Sequence, residues 1–91
     1  MLVERSPGAS AEQVDGRWLV VDPEGRHVVT LSPTGSVVWD GIDRPRDVAA
    51  LARHLLDRTT GGTIEEAQRD VARFVDELLA AGLVRRVDAP G

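Results

Sequence analysis

The spacing of apolar residues changes once along the chain, and that change divides it into two halves. Between Glu12 and Leu31 apolar and polar residues tend to alternate, the period of a half-buried strand. Two turn signals interrupt this stretch. Asp15-Gly16 is a hairpin dipeptide, and Asp22-Pro23-Glu24-Gly25 puts Pro second and Gly fourth, as a type I turn with a bulged exit requires. Two turns imply three strands, over about 11–14, 17–22 and 26–31, in an antiparallel meander. In the third strand His27, Val29 and Leu31 point one way and Val28 and Thr30 the other. Leu31 leads into the next element, which assigns Val29 to the core face beside it and His27 to the rim. Trp18 sits on the second strand, where alternation alone leaves it either buried or exposed. The residues before this stretch, through Ser6-Pro7-Gly8, show no period and contain breakers, so they predict a loose arm.

From Ser32 the period becomes helical. Ser32-Pro33 supplies a capping hydroxyl and a residue pre-set for the first turn, and Gly35, Val38, Trp39 and Ile42 fall on one face before Asp40-Gly41 ends the helix. A second helix is expected to start within 43–46, burying Val48, Leu51, Ala52 and Leu55. Thr59-Thr60-Gly61-Gly62 breaks it, and Thr63-Ile64-Glu65-Glu66 matches a capping box. The third helix follows with a stripe of Ile64, Ala67, Val71, Phe74, Val75, Leu78 and Leu79, and Gly82 stands where a left-handed cap belongs. Leu83 and Val84 return to the core, and a tail begins at Arg85. The expected organisation is a flexible arm over 1–10, one domain over 11–84 and a flexible tail over 85–91. The expected fold class is α+β and winged helix-turn-helix-like, an N-terminal three-stranded antiparallel sheet followed by three helices.

Composition narrows the function. With 91 residues and 42% apolar content there is one modest core and no room for a second domain or a deep substrate cavity. All 11 basic residues are Arg, set against 15 acids for a net charge of -4, which argues against phosphate-dominated nucleic-acid binding. No Cys is present, removing disulfides, thiolate zinc sites and thiol catalysis. No stretch has the length of a membrane span, and the start of the chain carries an acid where a signal peptide needs an apolar run, so a cytoplasmic location is expected.

Candidate chemistry is sparse. Ser32 and Ser36 lack a nucleophile-elbow setting, and the capping role accounts for Ser32. His27 and His54 lie on different elements without ligand spacing, so no metal is expected. Gly61-Gly62 precedes a helix as in a phosphate cradle, but the chain has no Lys to complete one. The pairs Glu65-Glu66 and Asp76-Glu77 would suit a general acid and base, yet acids in a first helical turn serve the helix dipole. No catalytic residue and no cofactor is expected. The third helix carries five acids and two Arg between Thr63 and Gly82, whereas 44–60 carries four Arg, two Asp and one His. That contrast suits either a solvated mixed surface or the charged rim of a partner groove.

Several short runs, in order, resemble the PqqD-like family. They are Val20-Val21-Asp22-Pro23-Glu24-Gly25, then Val29-Thr30-Leu31-Ser32-Pro33-Thr34-Gly35-Ser36-Val37-Val38-Trp39, then Asp43-Arg44-Pro45-Arg46-Asp47-Val48 with Leu51, and finally 70–78 ending in Gly82-Leu83-Val84. Ser32 stands where Asn is usual, and Ile42-Asp43-Arg44 lacks the Gly common after that Asp. The resemblance spans 14–84 and implies a RiPP recognition element, a non-catalytic domain that binds the leader segment of a ribosomal precursor peptide by strand addition and delivers it to modifying enzymes. It implies a docking edge of His27, Val28, Val29, Thr30 and Leu31, and a helical wall of Asp70, Arg73, Phe74 and Glu77. The implied partners are the precursor leader and a pathway enzyme such as a radical SAM enzyme, leader peptidase or cyclase. No nucleic acid or membrane is expected, and pairing of the same edge with a second copy would give a homodimer. The competing reading is a winged helix-turn-helix transcription factor, which needs a basic recognition helix where this third helix is net acidic.

Overall fold

A computed structural model describes residues 1–88. In chain order the elements are β1 (Leu2–Arg5), β2 (Ser10–Val14), β3 (Arg17–Val21), β4 (Val28–Thr30), α1 (Pro33–Gly41), α2 (Val48–Arg58), α3 (Ile64–Ala80) and β5 (Val84–Val87). The class is α+β. The meander β2-β3-β4 is antiparallel, with Val20 opposite both Ala11 and Val29. Its turns follow the sequence signals. Asp15 and Gly16 both take positive φ, 53° and 79°, as a type I′ hairpin demands. The second turn closes through the Gly25 amide on the Asp22 carbonyl at 3.0 Å, with Gly25 at a φ of 73°.

One sheet is not enough to describe the molecule. The expected loose arm is instead strand β1, paired antiparallel with β5 from Leu2↔Val87 to Arg5↔Val84. The tail expected from Arg85 is likewise ordered as far as Val87, while its last residues, 89–91, lie outside the described residues. Among the described residues there are therefore five strands in two sheets, not one N-terminal sheet. The physical reason is packing: Val3 is fully buried, and the Arg5 guanidinium lies 4.7 Å over the Trp39 ring while donating to the Trp39 carbonyl at 2.8 Å. The breakers Ser6-Pro7-Gly8 end this strand; Ser6 ties back to Gly82 through its hydroxyl at 2.7 Å.

The helices cap as their sequences dictate. Ser32, Asp47 and Thr63 each accept a backbone N–H three residues on, from Gly35, Ala50 and Glu66. The second helix begins later than its pattern suggests, at Val48 and not within 43–46. Arg46 is extended because its amide and carbonyl both bond to Val3, at 3.0 and 2.8 Å, so the segment closes the outer side of β1 before α2 starts. Gly82, at a φ of 75°, releases the chain from α3 into β5.

The core lies where α1 is covered by α2 on one side and β3 on the other, with α3 and β5 completing the shell. Val20, Leu31, Val38, Trp39, Ile42, Leu51, Val71, Val75 and Leu83 are all buried. Each such side chain contributes about 1.5–3 kcal/mol by burial, so a handful sets the stability of a domain this small. Trp18 is half-buried on the inner face of the meander, its indole N–H donating to Asp40 at 2.7 Å and its amide to the buried Ser36 hydroxyl at 3.1 Å. These bonds fasten the meander to α1.

Candidate functional site

An edge strand exposes polar backbone, and which groups it exposes follows from the register. Along β3 and β4 the bonds from Leu31 N–H to the Trp18 carbonyl (2.8 Å) and from Asp22 N–H to the His27 carbonyl (3.1 Å) flank the Val20↔Val29 pair. In an antiparallel ladder, pairs two residues apart have the same bonding character, so the amides of His27, Val29 and Leu31 face β3. Those of Val28 and Thr30 point away from it. No strand among the described residues pairs with this side of β4. The free edge therefore presents two donors and two acceptors, from Val28 and Thr30.

Side chains sort the same way except at His27. Val29 is half-buried against the core and Leu31 is buried, whereas His27, Val28 and Thr30 are exposed. His27 marks the start of the edge. The Asp22 carboxylate, itself nearly buried, accepts the His27 amide at 2.8 Å and lies 3.6 Å from the imidazole. The bond from the His27 amide is the main cause that lowers the Asp22 pKa; burial opposes it, and the Arg26 amide and the imidazole assist. The carboxylate thus holds the turn that sets where β4 begins.

The four residues of the expected helical wall converge. Asp70, Arg73, Phe74 and Glu77, at i, i+3, i+4 and i+7 of α3, line one open cavity of about 300 Å³ with Ser32, Thr34, Gly35, Val38 and Leu55. Pattern reading missed the second group because their own elements account for them, as cap, stripe or core. Gly35 is the telling position: a Cβ there would lie 2.9 Å from the Phe74 ring, so only glycine lets that ring settle on the start of α1. Along the rim Arg73 pairs with Asp70 at 3.2 Å, an exposed bridge of small energetic weight, and Glu77 adds a further acid.

The expected docking edge does not line this cavity. His27 borders a separate depression with Asp22, Pro23, Ala80 and Ala81, at the C-terminal end of α3. The edge of β4 thus connects two depressions, one at the last turn of α3 and one at its middle, without filling either. No group of three or more metal-ligating side chains occurs among the described residues, and no helix there is long and apolar enough to cross a membrane. An open strand edge beside a helical groove with an apolar floor and a charged rim is the layout of a peptide-binding module.

Comparison with known proteins agrees with this class. The family model for PqqD, coenzyme PQQ synthesis protein D, matches residues 17–84, and the chain belongs to that family. No curated protein matches the sequence. Among solved structures the fold is similar to TbiB1, determined in complex with the TbiA(beta) leader peptide, at a TM-score of 0.81 and 13% identity. That match covers 94% of this chain and 99% of the other.

Proposed function

We propose that this chain is a RiPP recognition element: it captures the leader segment of a ribosomal precursor peptide as an added strand on β4 and delivers it to a modifying enzyme. The observation that carries the reading is the unpaired edge at Val28 and Thr30, set beside the α3 cavity in a PqqD-family domain. The physical logic is that of strand addition. A disordered leader brings backbone groups that satisfy the edge, and alternate side chains enter the groove for selectivity. The similarity to TbiB1, whose structure holds a leader peptide, supports the same use. Phe74, Val38 and Leu55 would form the apolar floor, and Asp70, Arg73 and Glu77 the charged rim.

The domain's own part is binding and presentation, with reaction chemistry left to a partner of the radical SAM, peptidase or cyclase kind. The test uses the leader of the precursor encoded beside this chain, labelled and titrated into the protein. Thr30→Pro deletes an outward amide at an edge position that tolerates Pro. We expect it to weaken leader binding by about tenfold or more while the circular dichroism spectrum stays unchanged. Undiminished affinity in that variant would remove strand addition on β4 from the account.

A further inference from the structure

The meander has an outer face that the core does not use. Across it run two cross-strand rows: Ser10, Val21 and Val28 form one, and Glu12, Leu19 and Thr30 the other. Leu19 and Val21 are half-buried, and with Ser10, Ala11 and Glu12 they border a shallow depression of about 300 Å³. Val28 is 60% exposed and ends its row at the free edge. A strand edge carrying an apolar residue toward solvent is the arrangement that protein surfaces ordinarily avoid, because it invites another strand.

Resting on the strand-addition reading, we infer that this outer face is a second reading surface for the leader, with Val28 as its specificity-determining side chain. A strand added to β4 continues each row by one residue. The leader residue opposite Val29 shares the inner face of the sheet, while its neighbour opposite Val28 lies on the outer face and packs on Val28, extending the row that Val28 shares with Val21. Directly opposed side chains on one face of a sheet sit about 4.5–5.5 Å apart at Cβ, close enough for this contact. The occupant is thus a β-branched or aromatic leader residue, adjacent in sequence to the one on the inner face. Opposite Thr30 the row offers a hydroxyl beside Leu19, which suits a threonine or valine. The recognised segment therefore carries apolar residues on both faces at its centre and does not alternate strictly between apolar and polar.

The test is a display selection of short random peptides on the intact protein, run in parallel on wild type and Val28→Glu, with Val28→Thr as a control of similar shape. Val28 is exposed, so these changes leave the core intact. The expected result is enrichment by wild type of adjacent apolar residues, and a switch to Lys or Arg at one of the two positions on Val28→Glu with the other unchanged. Peptides selected on wild type should bind Val28→Glu about three- to tenfold more weakly. Enrichment by wild type with the same preference on Val28→Glu overturns the outer-face inference alone. Absence of any enriched peptide on wild type overturns the leader-capture reading and this inference with it.

Discussion

Strands β1 and β4 treat their outer sides in opposite ways. β1 joins β5 across almost the whole length of the chain, and its outer side is closed by Arg46, whose amide and carbonyl both bond to Val3. Its central residue, Val3, is fully buried, and Arg5 locks onto Trp39. In the meander, β4 is three residues long, is bonded on one side only, and carries an exposed valine. At Val3, β1 uses its outward amide and carbonyl within the chain; β4 leaves its two outward amides and two carbonyls for something else. Position in the fold explains the contrast, since β1 lies over the core with Val3 fully buried, whereas β4 ends the meander with its outer side open.

Substitutions can sharpen that difference, and the largest effects fall on the closed sheet and the inner side of the meander. Val3→Asp buries a charge without a partner and should cost more than about 3 kcal/mol, seen as a large drop in the urea midpoint. A small change there would mean that β1 is the loose arm its sequence suggests. Val29→Pro removes the amide facing β3 and should unfold the meander, whereas Thr30→Pro should leave it folded. If the two variants unfold alike, the assignment of inward and outward amides is wrong.

Intermediate effects belong to the groove. Gly35→Ala pushes a methyl group to 2.9 Å from the Phe74 ring. The ring must move, so we expect about 1–2 kcal/mol of destabilisation and a loss of leader affinity greater than that of Ser32→Ala, which removes only a cap worth about 1 kcal/mol. Equal affinities in the two variants would take Phe74 out of the docking wall.

The smallest effect is on pH dependence. Because the folded state lowers the Asp22 pKa, its stabilising contribution is present above the unfolded value and is lost as pH falls through the folded one. Wild type should therefore lose stability below about pH 4 more steeply than Asp22→Asn, measured by thermal unfolding across that range. Parallel curves would show that this carboxylate does not hold the turn.

Legibility in the sequence followed the range of each interaction. The caps at Ser32 and Thr63, the Asp15-Gly16 turn and the α3 stripe depend on neighbours a few residues away, and all could be read directly. β1 could not: four residues are too few to show a period, and the partner strand begins at Val84. The late start of α2 has the same origin, a bond from Arg46 to Val3 that no local pattern encodes. For the candidate site, Asp70, Arg73, Phe74 and Glu77 came from the family resemblance, not from any pattern in the sequence, and the structure brings them together along one cavity. That Gly35 admits the Phe74 ring, and that Val28 and Thr30 hold the outward amides, required the packing and the register.

Amide hydrogen exchange with and without the leader peptide tests strand addition most directly, because it reads the hydrogen bonds themselves. The meander has two free edges, and by the same alternation the outward amides of β2 are those of Ala11 and Gln13. Saturating leader should slow exchange at Val28 and Thr30 and leave Ala11 and Gln13 unchanged. Protection at Ala11 and Gln13 instead, or at neither pair while the peptide is bound, would contradict the account.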